Sequence, residues 1–205
     1  MSVDIKDENH VDEFLKMIES LTNFEIKVGI QGTADSKILK IAYVNEFGWT
    51  IKPKGQRLAI PLNKKAKEAG SPRNIPDLFT FKTDDGDLYL VRNKSKDKLE
   101  FMYWLATEVT IPERAFLRGG YDANKAKMEN KIEKLLEQVM TMKLSVSQFQ
   151  EKVGQYCVKA IRDYITDIKN PPNSPITLAG KAPKTNPLMN HGNLRQNITH
   201  KVVKK

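Results

Sequence analysis

Three histidines, one cysteine, a cluster of aspartates and a few basic–aromatic stretches are the side chains of this 205-residue chain that could do chemistry. Zinc needs ligands at spacings such as His-x-x-x-His, and no pair among His10, His191 and His200 has one. His10 is expected in an acidic helix, His191 in a loop, and His200 in a terminal strand on the face opposite Ile198 and Val202. Cys157 falls on the apolar stripe of a long helix, where a thiol packs as a small hydrophobe. A single cysteine also excludes an intramolecular disulfide and any multi-cysteine metal site. Asp84, Asp85 and Asp87 bracket Gly86, where aspartates are ordinary turn residues, and a metal there would need ligands from elsewhere in the chain. A hydrolase built on Asp85, Asp87 and His200 would need the three to converge in space. No serine sits in a Gly-x-Ser-x-Gly elbow, and neither Ser147 nor Ser174 has a candidate base nearby in sequence. Gly29, Gly32 and the Gly119-Gly120 pair form no phosphate-binding loop. These residues predict no catalytic group, no cofactor and no metal, and so a chain that is not an enzyme. Phe101, Tyr103 and Trp104, with Lys96 and Lys98 nearby, have the composition of a base-stacking strand. A strand packed under a helix layer explains the same residues as core, and core is the expectation.

Charge gives a second constraint. The net charge is +9, and it is polarised along the chain. Residues 1–20 hold six acids (Asp4, Asp7, Glu8, Asp12, Glu13, Glu19) against two lysines. Residues 171–205 hold six bases (Lys181, Lys184, Arg195, Lys201, Lys204, Lys205) and no acid. Such asymmetry suits contact with an acidic surface, and equally head-to-tail packing between identical subunits. With 40% hydrophobic and 29% charged residues the chain is globular in composition, so global disorder is not expected. No apolar run approaches the roughly 20 residues of a membrane span. The acidic first residues have no apolar segment of a signal peptide. The expectation is a soluble chain made in a reducing cytoplasm.

The elements that must position these residues follow from periodicity. Val11, Phe14, Leu15, Ile18 and Leu21 recur as the stripe of an amphipathic helix, and Phe24–Ile30 alternates as a strand. A second helix carries Leu39, Ala42 and Tyr43 inward and stops at Gly48, a C-terminal cap. A short strand follows at 58–61, one or two helical turns at 64–70, and a hairpin at 78–81 and 88–91 joined by the Asp-Gly turn. Residues 99–109 read as one long strand, ended by Ile111-Pro112. Helical spacing runs from Tyr121 to Met142. Ser145 and Gln148 form a capping box that opens a helix burying Phe149, Val153, Cys157, Ala160, Ile161, Tyr164 and Ile168. Asn170-Pro171-Pro172 ends that helix. Residues 171–191 read as a long mobile loop, followed by a one-turn helix at 192–195 and a strand at 198–203. The prediction is one α+β domain over 1–205. It has a mostly antiparallel sheet with helices on one face, two long helices in the second half, and a C-terminal strand returning to the sheet.

Three local patterns stand out in order: Tyr43-Val-Asn-Glu-Phe-Gly48, Ile111-Pro-Glu-Arg-Ala-Phe-Leu117, and Pro187-Leu-Met-Asn-His-Gly-Asn-Leu-Arg-Gln-Asn-Ile-Thr199. At these residues the chain resembles the tail completion, or head–tail joining, proteins of long-tailed bacteriophages, which include siphophage neck and Mu-like virion morphogenesis proteins. The family's Val-Gly-Ile strand is matched by Val28-Gly29-Ile30, and its Asn/His-Glu-Phe-Gly helix end by Asn45, Glu46, Phe47 and Gly48. Its Ile-Pro-x-Arg-x-Phe-Leu run is matched by Ile111, Pro112, Arg114, Phe116 and Leu117, and its Pro-x-Ser-x-x-Thr-x-x-x-Lys loop by Pro172, Ser174, Thr177 and Lys181. Its closing pattern is matched by Pro187, Leu188, Gly192, Leu194, Asn197 and Ile198. The chain departs at Asn190-His191, at Ala115, and in the hairpin within 63–99. The resemblance covers residues 24–203.

The resemblance implies a virion structural protein without catalysis, an often hexameric ring at the phage neck. It would lie between the head connector or adaptor and the tail tube or terminator proteins. Its partners would be other copies of itself and those neighbours, with non-specific contact to genomic DNA in the lumen and no membrane. It would locate to the virion neck, and to the host cytoplasm during assembly. Arg114 is expected to tie a turn and Phe116 to plug the core, with an exposed interface position for Arg114 as the alternative. Glu46, Phe47 and Gly48 are expected to close the second helix onto the sheet. Pro187, Leu188, Gly192, Leu194 and Arg195 are the expected assembly interface. The competing reading is a basic nucleic-acid-binding protein, in which the charge is the function.

Overall fold

The structure, a computed structural model, describes residues 10–95, 98–181 and 185–205. The acids Asp4, Asp7 and Glu8, the first residues read for a signal peptide, and Lys96 and Lys184 lie outside the described residues. In chain order the elements are α1 (Val11–Thr22), β1 (Phe24–Ile30), α2 (Ser36–Phe47), β2 (Trp49–Ile51), β3 (Leu58–Pro61), α3 (Lys64–Ala69), β4 (Phe79–Lys82), β5 (Leu88–Ser95), β6 (Lys98–Ala106), β7 (Val109–Ile111), α4 (Phe116–Met140), α5 (Val146–Asp167), α6 (Pro175–Lys181), α7 (Asn193–Gln196) and β8 (Ile198–Lys204). The class is α+β, with two long helices in the second half and the last strand paired antiparallel with β1. In place of one sheet there are three among the described residues, all antiparallel: β1-β8, β2-β7 and β3-β6-β5-β4. The chain groups into two compact units, each made of separate stretches of sequence. The first comprises the described residues of Met1–Ala42, Ala115–Ile168 and His191–Lys205; the second is Tyr43–Arg114 and Lys169–Asn190.

In the first unit the β1-β8 ribbon runs from Phe24 opposite Lys204 to Ile30 opposite Ile198. Its core joins Leu135 and Val139 of α4, Leu144, and Phe149 and Val153 of α5, with Met17 and Leu21 of α1 and Phe24 and Ile26 of β1 packed on them. Phe24 meets Phe149 edge-on, with ring centroids 6.4 Å apart. The capping box forms as the sequence predicts: Gln148 N donates to Ser145 Oγ at 3.2 Å, and Ser145 N donates to Gln148 Oε1 at 3.1 Å. Along α5 the buried side is Phe149, Val153, Gly154, Val158, Ile161 and Ile165. Cys157, Ala160, Tyr164 and Ile168 are only half-buried, because the stripe lies slightly around the helix from its expected line. Helix α4 begins at Phe116, more than a turn before the expected Tyr121. Gly119 and Gly120 hide its start by leaving a gap in the apolar pattern, and they lie beneath Tyr164 and Ile161 of α5.

His200 corrects another expectation. A strand's period of two puts residues 198, 200 and 202 on one face, and His200 shares that of Ile198 and Val202. It stands against α5, where a Cβ on Gly154 would collide with the imidazole. Its Nε2 lies 3.1 Å from Glu151 Oε2.

In the second unit Ala66, Met102 and Tyr103 form the core, with Ile75, Leu78 and Leu90 around them. Tyr103 Oη donates to Ala66 O at 2.8 Å, so the buried hydroxyl is satisfied. A register shift between Leu90 and Val91 accompanies the burial of both Met102 and Tyr103, which strict alternation would forbid. The expected long strand at 99–109 divides into β6, paired with β3 and β5, and β7, paired with β2. The β4–β5 turn closes by Gly86 N donating to Thr83 O and Thr83 N to Asp87 O, each at 2.9 Å. Residues 171–191, expected as a loop, contain α6.

Across β5 and β6 the Arg92 guanidinium holds Glu100, with Nε donating at 2.8 Å and Nη2 at 2.7 Å from Oε2. That hydrogen bond comes first in keeping the Glu100 carboxyl below the usual range, burial opposes it, and the charges of Arg92, Lys65 and Lys94 add to it. A depressed folded-state pKa means that the unfolded chain takes up the proton first as pH falls. The stabilisation is therefore whole above the unfolded carboxylate value of about 4.3 and is lost as pH drops through the lower folded value. Glu100→Gln is expected to lower the melting temperature at neutral pH by a margin that closes below the carboxylate range. Thermal unfolding of both proteins across pH checks this, and a pH-independent gap would contradict an ionic origin.

Candidate functional site

Parts of three of the runs that carry the resemblance, Asn45–Gly48, Ile111–Arg114 and Pro172, come together in the second unit around a glycine and an arginine, while Val28–Ile30 and Gly192–Ile198 belong to the first unit. Helix α2 ends because Gly48 turns the chain at φ +70°, a left-handed conformation. There is no room for a side chain there: a Cβ on Gly48 would lie 3.0 Å from Glu113 N and 3.2 Å from Ile111 O, both backbone. The turn delivers β2 onto β7, with Trp49 opposite Ile111 and Ile51 opposite Val109. Pro112 ends that pairing, since it has no N–H to donate. Arg114 N then donates to Asn45 O at 2.7 Å, tying the strand's exit to the helix end. Gly48→Ala is expected to cost about 1–3 kcal/mol for the left-handed conformation alone. The contact with immovable backbone adds to that loss. Denaturant midpoints check it, with Gly55→Ala, which meets nothing within 4 Å, as the near-neutral control.

The Arg114 side chain is 5% exposed. Its Nε donates to Pro171 O at 2.7 Å, its Nη2 to Pro172 O at 2.9 Å, and its Nη1 reaches Asn45 Oδ1 at 3.4 Å. Burial lowers its pKa, and these three oxygens offset that cost by accepting from the cation. The alternative position for Arg114, exposed at an interface, is therefore incorrect. Phe116 opens α4 and is fully buried. The Pro-x-Ser-x-x-Thr run starts α6, with Ser174 Oγ 3.0 Å from Thr177 Oγ1, and Lys181 Nζ donates to Asn186 O at 2.8 Å.

Two expectations fail at this corner. Glu46 is buried, but Phe47 is 53% exposed and does not close α2 onto a sheet. Tyr43, expected inward, is exposed as well, although Ala42 beside it is buried. Tyr43 packs against Phe47 at 5.0 Å between centroids and edge-on to Trp49 at 6.1 Å. The result is an exposed aromatic triad at the junction of α2 and β2. Helical spacing shows that Tyr43 and Phe47 share a face; it does not show that Gly48 folds β2 alongside that face and adds Trp49.

The expected assembly interface is also revised. Pro187, Leu188 and Leu194 are buried within the chain, so their side chains offer no docking face. Asn186 Oδ1 accepts from Leu188 N and Met189 N, each at 2.8 Å, and fixes that turn. Gly192 takes φ +84° before α7. Arg195 Nε donates to Arg162 O at 3.1 Å, and its Nη2 lies 3.9 Å from Asp163 Oδ1. Arg195 lines a cleft of about 510 Å³ with Lys159, Arg162, Asp163 and His200. The basic side chains there have partners within the fold, although the buried Arg162 Nε itself has no hydrogen-bond partner among the described residues. Lys159 bonds Asp163 at 2.6 Å, Arg162 donates to Gln196 O and Ile198 O, and His200 faces Glu151.

Among the described residues no three His, Cys, Asp or Glu side chains are grouped to hold a metal. The hairpin aspartates belong to the second unit, and His200 belongs to the first. Burial pushes the Cys157 thiol pKa up, away from the nucleophilic thiolate. Of the aromatic strand, expected as core, only Tyr103 is core: Trp104 is half-buried and Phe101 is exposed, because the irregularity at Met102 breaks the alternation between Phe101 and Tyr103. Phe101 packs edge-on to Phe81 at 5.9 Å and Tyr89 at 5.2 Å. No helix among the described residues is long and apolar enough to cross a membrane. Comparison with family models, curated proteins and solved structures finds no match to this chain.

Proposed function

We propose that this chain is a non-enzymatic virion structural protein, a tail-completion or head–tail joining subunit that forms a ring at the phage neck. The observation that carries the reading is the joining of three runs behind the resemblance. Asn45–Gly48, Ile111–Arg114 and Pro172 are far apart in sequence, and Gly48 and Arg114 bind them into one corner. That these residues, distant in sequence, meet in one corner supports reading them together as one structural feature. Partners on this reading are further copies of the chain, the head connector or adaptor, and the tail tube or terminator. The net charge of +9 suits a lumen that holds DNA by non-specific phosphate attraction while still letting it pass. Negative-stain electron microscopy of the purified protein tests the reading. Closed annuli without DNA support it. Single-chain particles that coat duplex DNA and leave it as salt rises would replace it with the nucleic-acid-binding alternative.

A further inference from the structure

Two exposed apolar faces of this chain have opposite charge. The first is the aromatic triad Tyr43, Phe47 and Trp49, each ring more than half exposed, with exposed Ile51 next along β2 on the side of Trp49. It is set in basic chain. Residues 36–57 hold five bases and one acid, Glu46, which is buried, and Lys40 stands one turn before Tyr43 on the same face of α2. The second face is on α1. None of its residues is buried, although Met17 and Leu21 pack on the first unit's core. The flank away from Met17 presents Val11 and Leu15, both more than half exposed. Helical spacing sets Asp12 and Glu19 beside them, one turn either side of Leu15.

Large aromatic rings left in water beside cations, and an apolar helical row left in water beside carboxylates, are each unfavourable alone. They match one another in both respects. We infer that α1 of one copy docks through Val11 and Leu15 on the Tyr43–Phe47–Trp49 patch of a second copy, with Asp12 and Glu19 facing Lys40 and the lysines that follow β2, Lys52 and Lys54. The two faces are different surfaces of one chain, so the contact is heterologous and propagates head to tail, which closes a ring when the rotation allows. Aromatic rings at the centre with charges at the rim are the usual anatomy of such a contact. The inference names the contact behind the proposed ring, and in that sense rests on that reading.

Mixing variants tests it with the full chain. Leu15→Lys brings a cation against the basic patch, and Trp49→Ala removes an anchor; both positions are exposed, so each variant should melt with the wild type. Masses are read by light scattering over a concentration series. The expected result is an oligomer for wild type, a monomer for each variant alone, and a dimer for the equimolar mixture, because one intact contact forms and cannot extend. The charge exchange provides a second arm: Glu19→Lys and Lys40→Glu should each weaken assembly, and the double variant should recover it. A wild-type oligomer that both variants leave unchanged overturns this contact but not the ring. A wild-type monomer indifferent to duplex DNA overturns self-docking alone, and a monomer that binds duplex DNA overturns the ring reading with it.

Discussion

Replacing Arg114 by alanine is expected to destabilise the second unit by about 3–5 kcal/mol, because it removes a buried cation from three acceptors at once. The guanidinium donates to Pro171 O, Pro172 O and Asn45 Oδ1, and its own backbone N–H binds Asn45 O. Alanine leaves the two proline carbonyls without that donor and opens the space the side chain fills. Lysine should recover little, since a point charge with tetrahedral donors cannot span neighbouring carbonyls as a planar fork does. Denaturant midpoints for the wild type, Arg114→Ala and Arg114→Lys give the answer, provided the slope is unchanged. A loss below about 1 kcal/mol, typical of an exposed charge, would mean that the corner does not depend on Arg114.

Phe116→Ala is expected to cost about 3–5 kcal/mol by the same measurement, through lost burial and the cavity left behind. The residue is fully buried at the first turn of α4, where Ala115 supplies no side-chain cap. Packing of that ring, rather than a capping hydrogen bond, therefore has to secure the start of the helix. Phe116→Leu keeps most of the volume and should lose less than half as much. Near-wild-type stability with failed assembly would place Phe116 at an interface and contradict its burial.

These two residues show what sequence reading can reach. Short-range chemistry was legible: the Ser145–Gln148 capping box, the Asp-Gly hairpin, and the stop at Gly48 follow from local rules and are found in place. The α+β class and a C-terminal strand that returns to a sheet followed from element order; that its partner is β1 did not. Side-chain direction was less legible. Tyr43 and Phe47 lie on a helix whose apolar residues are spread around its axis, so periodicity does not decide which side meets water. Leu188 and Leu194 are expected at an interface only through the closing pattern of the resemblance, which carries no information on burial, and the chain buries them itself. The division of the expected long strand into β6 and β7, and of one sheet into three, depends on long-range pairing that no local window contains.

The central claim is that this chain assembles with itself, and that its charge does not make it a duplex-binding protein. The most direct test is the mass of the purified protein by light scattering over a concentration series, with and without short duplex DNA at physiological salt. The account predicts a discrete oligomer that forms without DNA and whose mass does not depend on it. A chain that remains monomeric at every concentration, and binds the duplex tightly with an affinity that falls steeply with salt, would contradict it.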